Sequence, residues 1–306
     1  SHKSPKNKKN NLINLLKANK ERFGLKKTWL HVKAALSQRE KSIESRGLLF
    51  EALEPRVLLA ADLAYADATD LTLFYDAASS EFQLIDNANN DTVISSGTAD
   101  DGIVAISGNA SDINLTLDFA SFYEFGMPLD IQLEDKDGSN DSLFVQADSD
   151  FTVNALNLAV TDFNFNLSGF ESLNLSGGAS DNIFSLVDWN GSLTVDGAGG
   201  GDTLQQTNSV DSTWDLLGNN TGILNTNISF IEIENLTGGG GLDVFNFDDQ
   251  TTLDGIIDGG NGNTSLDYSA YTTAITVNLA NQTATGTGGI KKIDDLTGGE
   301  ESDTLL

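Results

Sequence analysis

The 306-residue chain has no cysteine and only two histidines, His2 and His31. Disulfides and thiolate metal sites are therefore excluded, as is any histidine-based triad or zinc centre in the rest of the chain. Proline is almost as scarce. Of three, only Pro128 lies beyond residue 56, so little interrupts a hydrogen-bonded ladder there. Basic side chains are also missing from most of the chain. Residues 57–306 hold Lys136, Lys291 and Lys292 against 40 acidic residues, a balance of −37. Such a body repels nucleic-acid phosphate and anionic lipid, and it has no arginine to neutralise an acidic sugar. Long apolar runs are lacking too. The most hydrophobic stretch, 47–61, is broken by Glu51, Glu54, Pro55 and Arg56, so it makes neither a secretory h-region nor a membrane span.

What is present divides the chain in two. Residues 1–56 carry 14 basic and 5 acidic residues, a balance of +9. Leu12 to Phe23 reads as a helix ended by Gly24. Thr28 to Arg46 reads as a second, with Thr28 as N-cap and Gly47 beyond its end. Trp29, Val32, Leu36 and Ile43 share one face of that second helix, ringed by lysine and arginine. A basic amphipathic helix of this kind suits recognition by export machinery or a membrane surface, and equally an ordinary solvated helix or disordered leader; we expect residues 1–62 to be a short, helical, basic leader of the export type.

Beyond it the pattern changes to period two. Leu71, Leu73 and Tyr75 alternate with Thr72 and Phe74, Phe163, Phe165 and Leu167 with Asn164 and Asn166, and Ile275, Val277 and Leu279 with Thr276 and Asn278. Glycine and Asn/Asp clusters punctuate these runs every ten to twenty residues, which predicts an all-β body. Within it a glycine–aspartate box recurs. Residues 238–245 read Gly-Gly-Gly-Gly-Leu-Asp-Val-Phe, and degenerate copies centre on Asp141, Asp181, Asp202, Thr264 and Asp303. The intervals are 40, 21, 41, 21 and 39, so alternate boxes lie 60 to 62 residues apart. The same register aligns Phe170–Gly178 with Ile231–Gly239 and Ile290–Gly299. A fixed period of this length predicts a right-handed parallel β-solenoid of about twenty residues per coil, in which stacked coils share a core. Residues 126–306 are expected to form the repeats. Residues 63–125 fit the register poorly, apart from a worn box at Ser107–Asp112, and are expected to be a β-rich cap or entry domain. The chain starts with Ser1 and stops inside a box, which reads as a piece of a longer array.

Two resemblances add to this. Residues 53–62, Leu-Glu-Pro-Arg-Val-Leu-Leu-Ala-Ala-Asp, resemble the signature of the LEPR-XLL family, an N-terminal segment of very large bacterial surface or secreted proteins. The boxes resemble repeats-in-toxin nonapeptides, fully at 238–245, well at 197–204, where Ala198 replaces glycine, and partly at 176–183 and 298–305. The resemblance implies calcium held between turns by carbonyls and aspartates. The implied ligand positions are Asp181, Gly197, Gly200, Asp202, Gly238, Gly239, Gly241, Asp243 and Asp303. An oxygen-only donor set of this kind suits calcium.

The expected function is a non-enzymatic, adhesin-like part of a large extracellular or outer-surface bacterial repeat protein. Its expected partners are calcium ions and a glycan or protein receptor at a host surface. The alternatives are a polysaccharide lyase or glycosidase on a β-helix, using paired carboxylates, and a secretion leader with a passive spacer. Trp189 and Trp214 are read as core-closing residues before they are read as sugar platforms, and Phe245 and Phe247 as a core ladder.

Overall fold

The computed structural model describes residues 61–108, 112–134, 140–161 and 163–306, with the side chains at 133 and 134 left aside. The expected helices of the arm and residues 53–60 of the leader motif lie outside the described residues, as do 109–111 of the worn box.

The body is all-β. Its strands begin with β1 (Ala61–Ala64), β2 (Asp70–Asp76), β3 (Glu81–Asp86) and β4 (Thr92–Gly97). Then come β5 (Ile103–Ser107), β6 (Asn114–Leu117), one helical turn α1 (Phe119–Phe122), β7 (Leu129–Glu134) and β8 (Ser142–Gln146). A first group of seven follows: β9 (Phe151–Val153), β10 (Asn157–Val160), β11 (Phe163–Asn166), β12 (Ser172–Ser176), β13 (Ile183–Leu186), β14 (Ser192–Asp196) and β15 (Thr203–Gln206). A second group of seven is β16 (Ser212–Gly218), β17 (Thr221–Leu224), β18 (Ile228–Ile231), β19 (Asn235–Thr237), β20 (Leu242–Phe247), β21 (Leu253–Asp258) and β22 (Asn263–Asp267). The chain ends with β23 (Thr276–Asn278), β24 (Thr283–Ala284), β25 (Thr287–Lys291), β26 (Asp295–Thr297) and β27 (Thr304–Leu305).

These strands build two long sheets and one small one. Sheet I has 11 strands in the order β1-β5-β7-β11-β10-β9-β13-β15-β19-β21-β25. Sheet II has 13, in the order β26-β22-β20-β16-β17-β18-β14-β12-β8-β6-β2-β3-β4. Sheet III is β24-β23-β27. Most neighbours are parallel, because the chain passes from one long sheet to the other and returns one rung further on. Residues 63–125 carry both an antiparallel meander, β2-β3-β4, that ends sheet II and strands that run on in the same parallel ladders as the later residues.

The inward faces share one continuous core. Alternation places the residues as the sequence pattern requires: Leu71, Leu73 and Tyr75 are buried, as are Phe163, Phe165 and Leu167. The third run departs at its end. Ile275 and Val277 are buried, but Leu279 is exposed, because β23 stops at Asn278 and Leu279 starts a turn. Aromatic side chains stack along the core from rung to rung. Phe151 lies on Phe184 at 4.9 Å, Trp214 on Phe245 at 5.3 Å, and Phe247 on Tyr268 at 4.3 Å.

The super-period of about sixty residues has a structural cause. Each group of seven opens with an antiparallel meander within one sheet, followed by four strands that alternate between sheets. The first meander, β9-β10-β11, starts at Phe151 in sheet I, and the second, β16-β17-β18, starts at Ser212 in sheet II, 61 residues later. Between the meanders the chain changes sheet five times, an odd number. Residues one super-period apart therefore occupy opposite sheets: β13 in sheet I corresponds to β20 in sheet II, and β14 in sheet II to β21 in sheet I. Among the described residues no helix is long and apolar enough to cross a membrane.

Candidate functional site: the glycine–carboxylate turns

Each box is the turn that feeds a strand, and the structure fixes its register by burial. Asp202, Asp243 and Thr264 are fully buried at the strand start, and Asp141 is buried at the start of β8. In the box at 176–183 the corresponding residue is Asn182, 2% exposed, and not Asp181, which faces solvent. The reason lies two residues on. The core takes Phe184 and leaves Ile183 40% exposed, so the side chain two before Phe184 turns inward. With Asn182 in place the intervals from Asp141 become 41, 20, 41, 21 and 39. Asp181 instead joins two coils: its Oδ1 accepts the Gly201 N–H at 2.7 Å from the next one.

The inward side chain works first as a backbone cap. Its one oxygen accepts an N–H from the neighbouring rung: Asp202 Oδ1 from Asn182 at 2.7 Å, Asp303 Oδ1 from Ile275 at 2.9 Å, Asp141 Oδ1 from Ile113 at 2.8 Å. Its own N–H is capped by a carboxylate from a coil further along. Glu171 serves Asp141 at 2.9 Å, Glu234 serves Asp202 at 2.8 Å, and Asp294 serves Thr264 at 2.9 Å. Parallel ladders leave such N–H groups without a strand partner at each turn, and a buried donor must find an acceptor.

The N–H four residues earlier separates the boxes into two kinds. At Asp303 the second oxygen, Oδ2, accepts it from Gly299 at 2.8 Å, and at Asn182 the single amide oxygen accepts it from Gly178 at 2.8 Å. At Asp202 and Thr264 that donor is diverted. Ala198 and Gly260 take positive φ, +66° and +76°, and give their N–H groups to Asp196 and Asp258 at 2.9 and 3.0 Å. Thr264 resolves the loss by donating its hydroxyl to the Gly259 carbonyl at 2.9 Å. An ionised Asp202 has nothing to donate, and its Oδ2 is buried without a hydrogen-bond partner. Burial, with the Glu234, Asp181 and Asp148 charges adding to it, pushes the Asp202 carboxyl up to about 6, although the Asn182 N–H bond opposes the shift.

Asp243 is intermediate. Its Oδ1 bonds the Ser212 hydroxyl, which also accepts the Trp214 indole N–H at 3.1 Å. Its buried Oδ2 makes no well-formed hydrogen bond, although the Gly239 N–H approaches the carboxylate. Burial raises its pKa, and the Ser212, Trp214 and Gly239 donors hold part of that rise back.

The glycines leave room for this. A Cβ on Gly197 would stand 1.9 Å from the Glu232 carbonyl oxygen and 2.6 Å from Asp202 Oδ2. Both oxygens therefore face one small volume that only glycine leaves open. At Gly238 the neighbours are Asp243 Oδ2 at 2.6 Å and the Gly259 carbonyl at 2.9 Å, whereas Gly239 and Gly241 stand against the backbone of Asn208 and Val210. Gly200, at φ +122°, lies 2.6 Å from the Ser180 carbonyl by the same measure. Asp202 and Asp243 are not neighbours: one opens β15 in sheet I and the other lies at the start of β20 in sheet II. The box partners are adjacent rungs, with Asp243 directly opposite Thr264 and the β13–β15 ladder placing Asn182 beside Asp202. Among the described residues no three acidic or histidine side chains converge.

Ala198 carries a visible cost here. A left-handed backbone costs an L-residue about 1–2 kcal/mol, of which glycine's extra unfolded-state freedom returns about half. Ala198→Gly is expected to stabilise the chain by about 0.5–1 kcal/mol, read as a higher urea midpoint with an unchanged slope. A lower midpoint would contradict the strain assigned to this turn.

Of the two tryptophans, Trp214 is fully buried, whereas Trp189 is partly buried against the core with its indole N–H on the Ser192 carbonyl at 3.3 Å. Neither offers an open platform. Compared with known protein families, curated proteins and solved structures, the chain matches none.

Proposed function

We propose that this chain is the N-terminal part of a large secreted or cell-surface bacterial repeat protein, with an adhesin-like, non-enzymatic role. In this reading the two sheets are the walls of a right-handed β-solenoid of about twenty residues per coil. Calcium at selected glycine turns stiffens it. The basic segment and the Leu53–Asp62 string act as the export-associated leader.

The observation that carries the calcium reading is the Asp202 carboxylate oxygen, buried without a partner beside a backbone carbonyl in a glycine-lined space. Calcium accepts a mixed set of carboxylate, carbonyl and water oxygens, and its charge relieves a body at −37. Asp202, with the Glu232 carbonyl, would hold it best, and Asp243 with the Gly259 carbonyl second. Asn182 and Thr264 already satisfy themselves, and Asp303 uses both oxygens as caps. The array of functional sites is therefore sparser than the array of boxes. Calcium supplies charge neutralisation and a cross-link between coils, and no chemical step.

Calcium titration calorimetry on the 306-residue chain, with thermal melts in calcium and in chelator, tests the reading. Binding heat and a higher melting temperature are expected, both reduced in Asp202→Ala and lost when Asp243→Ala is added. Absence of heat with identical melts would reduce the boxes to backbone caps.

A further inference from the structure

The described residues also form an open cleft, with Gly177 and Gly178 of the 176–183 box in one part of its wall. It has a volume of about 540 Å³ and lies where α1 meets the outward face of sheet II. The outward row there follows the ladder register through Thr72, Thr116, Phe144, Asn174 and Thr194. Four of these five are small polar residues, as a solvated β-face requires. Phe144 breaks the pattern, and it is 38% exposed in the cleft wall. The second aromatic in the wall is Tyr123, 55% exposed just after α1. Its ring is not loose: edge contacts to Phe119 at 5.9 Å and Phe163 at 5.8 Å fix its plane.

Polar groups share the cleft wall with the two rings. Asp148 is held by the Ser180 N–H at 3.1 Å, the Ser180 hydroxyl at 3.2 Å and the Asn182 amide at 3.4 Å. The Ser180 bond keeps its carboxyl below the usual range, so it stays ionised. Asp118 is fixed as the cap of α1, accepting the Ser121 N–H at 3.3 Å. Gln146 and Thr116 add an amide and a hydroxyl. A carboxylate has room for further donors beyond those it already accepts. Among the described residues no basic side chain lines the cleft.

Rigid exposed aromatic faces beside fixed hydroxyl acceptors, with negative charge and no cation among the described residues, suit one ligand chemistry. We propose that this cleft binds a saccharide free of acidic groups, with pyranose faces on Phe144 and Tyr123 and ring hydroxyls donating to Asp118 and Asp148. Uronic or sialic sugars would meet unpaired carboxylates. The inference rests on the adhesin-like reading for its biological sense, but on none of the calcium chemistry.

The proposal is tested by binding of the 306-residue chain to an array of neutral hexose and N-acetylhexosamine oligosaccharides, with oligogalacturonate as the acidic arm. Hits are measured by calorimetry, with and without calcium. A neutral oligosaccharide is expected to bind, the acidic one not. Phe144→Thr, which restores the residue type of the row, and Tyr123→Ser are each expected to weaken binding about tenfold, the size of a lost stacking face. The melting temperature should hold; if Phe144→Thr unfolds, Tyr123→Ser carries the test. Retention of no neutral glycan, equal binding of the uronate, or unchanged affinity in folded variants would overturn the proposal. Loss of calcium binding with glycan binding intact would sink only the calcium reading.

Discussion

Without calcium, Asp202→Thr is expected to gain stability relative to the parent chain as pH rises from 4 to 7, by roughly 2–3 kcal/mol across that interval. The folded-state carboxyl titrates near 6, above the 3.8 of an unperturbed aspartate. A raised folded pKa means that the native state holds the proton more tightly than the unfolded state. The associated stability is complete below pH 4 and is lost as pH rises through 6. At pH 7 the parent therefore carries a buried, ionised carboxylate with one unpartnered oxygen. Threonine has nothing to ionise. Its hydroxyl can donate to the Gly197 carbonyl as Thr264 donates to Gly259.

The substitution has a fixed cost as well. The Asn182 N–H loses its carboxylate acceptor, worth about 1–3 kcal/mol if nothing replaces it. That cost does not depend on pH, so the slope is the readout and the offset is not. Urea melts of both chains at several pH values give it, because carboxylates remote from Asp202 are common to both and cancel in the difference, while Glu234, Asp181 and Asp148, whose charges act on Asp202, contribute to the slope. A pH-independent difference would mean that Asp202 is not the strained carboxylate described here. Adding calcium should flatten the parent's slope, since the ion competes with the proton for the same oxygen.

Most of the body was legible from alternation and spacing. Period-two runs such as Leu71–Tyr75 place side chains by simple geometry, and a box that recurs every sixty residues has to mark equivalent turns. The aromatic ladder through Phe245 and Phe247 followed from the same alternation. Four features did not follow. The Ile183–Phe184 pair offers two apolar registers one residue apart, and only packing chooses Phe184 and thereby Asn182 over Asp181. Counting back two residues from the core aromatic or leucine, instead of forward from the glycines, would have found it. The swap of sheets at each super-period is invisible in sequence, because a repeat records which residues are equivalent and not which wall they join. The Phe144–Tyr123 cleft joins residues from different coils across α1, and the alternation of Leu143, Phe144 and Val145 reads as an ordinary buried run. The two acid oxygens of each box were likewise beyond spacing. At Asp202 the Oδ2 loses its donor because Ala198, four positions earlier, takes a positive φ and turns its N–H to Asp196.

Trp214→Ala is expected to destabilise the chain by about 3–5 kcal/mol, the range for deleting a fully buried aromatic. Trp214 is 0% exposed in the β16–β18 meander, stacked on Phe245 at 5.3 Å and edge-on to Phe230 at 6.4 Å. Those contacts tie the meander to the parallel strand β20 and, within the meander, its first strand to its last, β18. The indole also donates to Ser212, which bonds the buried Asp243, so its loss loosens the cap beneath a candidate calcium turn. Trp189→Ala removes a partly buried ring that packs at the core margin, and should cost under about 2 kcal/mol. The comparison, made as urea midpoints on the 306-residue chain, decides whether the meander is part of the core or an appendage to it. Equal costs for the two would place it outside. A large cost at Trp214 with an unchanged urea slope would show that the antiparallel insert, which sends the chain to the opposite sheet at each super-period, unfolds with the parallel coils as one cooperative unit.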